Sequence, residues 1–313
     1  MIHESTRHES EPDDPTPRPP RGSIVSRLVP RLGIRHVFLA PLLLVLGGIV
    51  AYPLLYSLWL SFTNFNILKQ GQTRFVGLDQ YLGLAGNETY VAGLVNTLVF
   101  VGLAVALELL LGLALALALQ QILPRRGRNV LRSFLLTPMF VTPIAVGLMF
   151  RFLLNQQLGL IPAMLALVGV RIDFFGFQFA LFSIVGIDVW QWTPFMLLLL
   201  LAGLESLPPQ PFEAAKVDGA GAWFTFRNVT LPLLRPVITV AVLIRGLDAF
   251  KVFEYVFAIT RGGPGTATET LQYEVYRTGF SFFRLGEAAA MSFVLVAIVL
   301  FLIVPLYRRV SER

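Results

Sequence analysis

Four charged side chains, Arg245, Asp248, Lys251 and Glu254, follow one another at three-residue steps inside an otherwise apolar stretch. Such steps keep side chains along one flank of a helix, so the four can neutralise one another as a ladder or border a solute. Both readings stand at this level. A second stretch reads Asp188, Trp190, Gln191, Trp192, Thr193, Pro194 and Phe195. Aromatic rings beside a carboxylate suit a polyhydroxylated ligand, since C–H groups pack on a ring face while hydroxyls bond to the acid. Plain helix packing accounts for each ring equally well. Glu108, alone in its apolar run, is read as an interhelical hydrogen-bond partner, and Arg151 as a side chain whose charged head reaches out to an interface.

Covalent and metal chemistry have no support. The chain holds no cysteine, and its three histidines, His3, His8 and His36, all precede the first long apolar run. That removes disulfides, thiolate nucleophiles and deep imidazole bases or ligands together, so the inventory argues against a hydrolase or metalloenzyme and neither a cofactor nor a metal site is expected. A P-loop is also missing. None of the three lysines, Lys69, Lys216 and Lys251, follows a glycine-rich phosphate loop, so ATP is not bound by that device.

These side chains are carried by very apolar elements. Mean hydropathy is +0.70, and charged residues make up only 14% of the chain, far from the balance of a soluble domain. About 20 apolar residues cross a bilayer, and six runs reach that scale: Val37–Phe62, Leu94–Leu119, Val130–Leu154, Phe179–Leu204, Val237–Ile259 and Ala288–Leu306. An all-α integral membrane protein with six transmembrane helices is the expectation. Pro138 and Pro143 should kink the third span. The apolar, glycine-punctuated segment Gly159–Gly176 is a candidate for a short interfacial helix.

Orientation follows from lysine and arginine. Sixteen basic residues fall on one side: six between Arg7 and Arg35, then Arg125, Arg126, Arg128, Arg132, Lys216, Arg227, Arg235, Arg308, Arg309 and Arg313. The other side has six: Lys69, Arg74, Arg171, Arg261, Arg277 and Arg284. Both termini are therefore expected in the cytoplasm. The net charge of +6 reflects topology and calls for no nucleic acid. The expected organisation is a disordered tail over 1–35, a transmembrane domain over 36–308 with its core at about 92–307, a cytoplasmic loop at 205–236 and a short tail at 309–313.

Within that cytoplasmic loop stand Glu213-Ala214-Ala215, Gly219 and then Val229-Thr230-Leu231-Pro232. A short helix is expected here, with Glu213 near its N-terminal end, where a carboxylate is favoured. Gly219 permits a sharp turn at positive φ without a Cβ clash, and Pro232 suits the start of the next helix. The spacing is similar to the coupling loop of ABC importer membrane subunits, with only Val229 departing from that pattern. Further on, Thr260-Arg261-Gly262-Gly263-Pro264-Gly265 and Gly286-Glu287-Ala288-Ala289-Ala290 resemble the carbohydrate-importing branch, as does Phe75-Val76-Gly77-Leu78-Asp79-Gln80-Tyr81 followed by Asn96-Thr97.

The resemblance covers roughly residues 36–308 and is to the branch's first permease. It implies a type I ABC importer permease fold in a bacterial inner membrane. It also implies a second permease as heterodimer partner, a nucleotide-binding ATPase dimer, an extracytoplasmic solute-binding protein and a sugar substrate. Through it, Glu213, Ala214, Ala215, Asp218, Gly219, Leu231 and Pro232 are the residues expected to couple to the ATPase. Asp188, Trp192, Phe195 and Asp248 fall at or near the family's sugar-lining positions, and Arg245 and Lys251 join them as candidates for the substrate path. The alternative is a secondary transporter or channel acting without an ATPase, which would have no use for the Glu213–Pro232 pattern and for which inverted repeats are expected.

Overall fold

The computed structural model describes residues 34–311, apart from Gln70 and residues 123–130, and is helical throughout apart from its connections. The predicted tail before residue 34 and the basic loop Arg125–Arg128 lie outside the described residues. The chain forms two compact units, Met1–Leu54 and Leu55–Arg313. The first is helical from Ile34 onward. Its helix, α1, runs Ile34–Ser61 and contributes its last turns to the second unit.

The second unit is built from α2 (Asp79–Ala85), α3 (Glu88–Ile122), α4 (Pro143–Leu153), α5 (Leu160–Leu167), α6 (Ala180–Glu205), α7 (Gln210–Val217), α8 (Ala222–Ala249), α9 (Leu271–Tyr276) and α10 (Leu285–Ser311). Among the described residues five helices are long and apolar enough to cross a membrane: α1, α3, α6, α8 and α10. The predicted third span does not form one continuous helix. Residues 131–135 are helical, Thr137–Phe140 is a 3₁₀ turn, and α4 begins only at Pro143. Two prolines five residues apart each remove a backbone donor, and here they interrupt the helix where a kink was expected.

The fifth span is displaced as well. Its helix starts at Ala222, fifteen residues before the predicted Val237, and ends at Ala249. The chain turns at 250–253 and resumes as a π-turn at Val256–Thr260. Arg245 and Asp248 thus lie on α8, whereas Lys251 and Glu254 lie beyond its end. The predicted ladder along a single helix is corrected accordingly. Helix α5 occupies the segment where a short helix was expected.

Helix α6 is the core element. Of its apolar window 67% is buried, against 22–28% for α3, α8 and α10. It crosses α3 so closely that a Cβ on Gly112 would stand 2.7 Å from the Met196 Cβ, a distance no side chain tolerates. Phe100, Ile184, Met196, Leu197, Leu200, Leu234 and Ala241 knit α3, α6 and α8 into one apolar cluster. Many large side chains outside it remain exposed, among them Leu110, Leu300 and Phe301. In a bilayer such faces meet lipid or a partner helix at no cost, because lipid tails are as apolar as leucine.

Candidate functional site

Arg245 is the hub of the buried polar groups. It stands on α8 with 2% of its surface exposed. Its Nε donates to Glu108 Oε2 at 2.8 Å and its Nη2 to Glu108 Oε1 at 3.0 Å, a bidentate fork onto α3. The same Nη2 donates to Asp188 Oδ2 on α6. Nη1 reaches Asp248 Oδ2 at 3.3 Å, and Lys251 Nζ lies 3.7 Å from Asp248 Oδ1. The Arg245 guanidinium carbon sits 5.2 Å from the Trp192 ring centroid, within cation–π range. One guanidinium therefore ties three helices together.

Beside it, Tyr255 Oη donates to Gln191 Oε1 at 2.6 Å, and Gln191 Nε2 donates to the Val141 carbonyl at 2.6 Å. Val141 closes the 3₁₀ turn at the break in the third span. A side chain from α6 thus satisfies an acceptor that the interrupted helix leaves open, as burial in an apolar medium requires. Arg151 is exposed, and its Nη1 donates to the Ala258 carbonyl at 3.0 Å.

These groups border a cavity of about 340 Å³. Its lining includes Asp188, Trp192, Arg245, Asp248, Lys251 and Glu254. Phe195 stands outside the lining, with its ring edge-on to Trp192 at 6.4 Å between centroids. Glu108 lies behind Arg245 and is wholly buried.

The second site is the Glu213 segment. Helix α7 carries Glu213 in its first turn. Only Ala215 faces inward, while Glu213, Ala214, Lys216, Val217 and Asp218 are exposed, Val217 to 87%. The helix ends in a Schellman arrangement: Ala220 N donates to the Ala215 carbonyl at 2.9 Å and Gly219 N to the Lys216 carbonyl at 3.2 Å. This closure needs a left-handed residue, and Gly219 takes φ +70°. Helix α8 then begins, and the Leu231 N–H reaches back to the Phe226 carbonyl through the π-turn Phe226–Thr230. Pro232 follows at the point where the ladder has changed register. A groove of about 1270 Å³ runs between this segment and the end of α3, bordered by Gln120, Arg132, Glu205, Phe212, Lys216 and Trp223.

The pair Asn96-Thr97 and the residue Gln191 are visible in the sequence, but their partners are not. Asn96 Nδ2 donates to the carbonyls of Thr266 and Glu269 at 2.8 and 2.9 Å. Leu271 N donates to Thr97 Oγ1 at 2.9 Å. Together they strap the 260–270 loop and the start of α9 to α3, across 170 to 174 residues of chain.

The fold and its sites define a polytopic helical membrane protein with a buried charged cluster beside a cavity and an exposed short helix. The chain belongs to the binding-protein-dependent transport system inner membrane components, whose family profile matches residues 108–313. It is 35% identical over 254 residues to the trehalose/maltose transport system permease protein MalF of Thermococcus litoralis, covering 80% of this chain and 84% of that one. It is 32% identical over 280 residues to the sn-glycerol-3-phosphate transport system permease protein UgpA of Yersinia enterocolitica, covering 89% and 94%. Among solved structures, a bacterial ABC transporter that imports the acidic polysaccharide alginate superposes with a TM-score of 0.76 at 23% identity, covering 89% of this chain and 96% of that one. At that identity the likeness is one of fold.

Proposed function

We propose that the chain is the permease subunit of an ABC importer that moves a sugar or sugar-like solute inward. The observation that carries this reading is the likeness to a trehalose/maltose permease over 80% of the chain, together with a cavity lined by Trp192, Asp188 and Asp248. The subunit is a transport component and not an enzyme; ATP hydrolysis belongs to a separate chain. The alternative of a transporter acting alone has no support from the family, which is dependent on a binding protein.

In this reading the solute arrives on a solute-binding protein and enters a path formed with a second permease. Closure of the ATPase dimer below pushes on α7. Because α7 is fixed to α8 through the Gly219 turn, the push moves α8 and with it Arg245 and Asp248. Trp192 offers a ring face to sugar C–H groups, and Asp248, half exposed, accepts from hydroxyls.

Reconstitution into liposomes tests the proposal. The chain together with a second permease, an ATPase dimer and a binding protein is expected to take up labelled trehalose or maltose on addition of ATP, whereas the chain alone is expected to take up neither. Trp192→Ala in the assembled importer is expected to lower uptake at least fivefold while the subunits still copurify. Uptake by the isolated chain, driven by ATP or by a solute gradient, would refute the reading.

A further inference from the structure

We propose that the charge arrangement of the Arg245 cavity selects neutral carbohydrate and rejects anionic carbohydrate. This rests on the sugar reading above and narrows it. The question is a real one for this fold, since relatives and structural neighbours carry names that refer both to neutral disaccharides and to a phosphate ester or an acidic polysaccharide.

The inference follows from which charges a solute would meet. An anion-binding pocket needs an unspent cation, usually an arginine fork. The fork of Arg245 is already occupied: two nitrogens bond to Glu108, one of these also bonds to Asp188, and the third nitrogen reaches Asp248. With 2% exposure it has no free edge to offer. In the group Glu108–Arg245–Asp188 one cation faces two carboxyls, so it is neutral with one of them ionised and negative with both.

The exposed part of the lining repeats this bias. Asp248 is 47% exposed and Lys251 66%. Glu254 is exposed and has no cation within ion-pair distance among the described residues. Lys251, the single exposed cation of the lining, stands three residues from each of these carboxylates and pairs loosely with one of them. Two carboxylates against one ammonium leave this exposed part of the lining with one net negative charge. A carboxylate or phosphate brought here meets like charge, while the buried cation Arg245 is already paired. A neutral sugar meets the acceptors of Asp248 and Glu254 and donors such as Lys251 and Gln272, which its hydroxyls can match.

Two measurements decide. ATP-driven uptake of maltose and trehalose by the full importer, binding protein included, tests the sugar reading itself. Saturation-transfer NMR on the assembled complex in nanodiscs, with the binding protein omitted, reads the cavity. The probes are pairs that differ in charge, maltose with maltobionate and trehalose with trehalose 6-phosphate. The neutral member of each pair is expected to show transfer at least tenfold above its anionic partner. In the double variant Asp248→Asn, Glu254→Gln that ratio is expected to fall severalfold. Equal transfer from both members, transfer from the anionic member alone, or a ratio unmoved in the double variant overturns the charge inference while uptake leaves the sugar reading in place. Absence of uptake for every carbohydrate removes the sugar reading and this inference with it.

Discussion

At the scale of residues, Arg245 decides more than any other position. Its sequence neighbours suggested a ladder in which Asp248, Lys251 and Glu254 neutralise it locally. Its main partners instead come from two other helices, Glu108 on α3 and Asp188 on α6. Removing one partner of a buried ion pair typically costs about 3–5 kcal/mol, because the remaining charge is left uncompensated. Arg245→Met strands two carboxyls and is expected to be the most destabilising of three variants. Arg245→Lys is expected to be intermediate, since one ammonium cannot reproduce a bidentate fork. Glu108→Gln keeps an acceptor for the guanidinium and is expected to be mildest. The midpoint of thermal unfolding of the purified complex in detergent ranks them. An Arg245→Met complex that melts with wild type would mean the network contributes nothing to stability.

At the scale of elements, the sequence shows which segments are apolar more clearly than where helices break. Glu108 was legible as an interhelical partner because a lone carboxylate in an apolar run has no other cheap fate. The third span carried its own warning in Pro138 and Pro143. What the sequence could not show was that Gln191, fifty residues later, takes up the Val141 carbonyl and so makes a full break tolerable. The end of α8 gave no warning at all: residues 249–253 contain neither proline nor glycine. Hydropathy also misplaced its start, because Arg227 and Arg235 interrupt the apolar run without interrupting the helix. The turn after α7 was the most legible feature, since a Schellman closure needs a residue tolerant of positive φ and only Gly219 stands there.

That turn supports a prediction for α7. Gly219→Val places a β-branched residue at φ +70°, a conformation such residues almost never adopt. Glu213→Lys reverses an exposed charge in the first turn of the helix. If α7 is the contact with the ATPase, loss of a charged interfacial contact can cost about 2–5 kcal/mol. Both variants are expected to insert normally yet lose ATPase on purification, or to hydrolyse ATP without uptake. Copurification and transport at wild-type levels in both variants would sink the assignment.

At the scale of the whole molecule, distant parts of the chain are held together by polar straps as well as by the apolar core. The 260–270 loop is bound to α3 through Asn96 and Thr97, and it ends in a cluster of Glu269, Glu274 and Arg277. Glu269 is fully buried, with Arg277 Nη1 3.1 Å from its Oε2. Burial, helped by the neighbouring Glu274 carboxyl, pushes its carboxyl up to about 8 against the opposing pull of Arg277. In the unfolded chain the same group titrates near 4.5. The native state therefore holds a proton that the unfolded state has lost. Stability from this residue is complete below about pH 4.5, declines as pH rises, and is gone above about 8. The slope in that window is at most about 1.4 kcal/mol per pH unit. Glu269→Gln keeps the neutral shape and removes the titration. Unfolding midpoints of the assembled complex measured from pH 5 to about 8.5 are expected to fall more steeply for wild type than for Glu269→Gln. Parallel curves for the two proteins, or a wild-type curve that climbs relative to the variant, would show that Glu269 is ionised in the folded state and that Arg277 outweighs its burial.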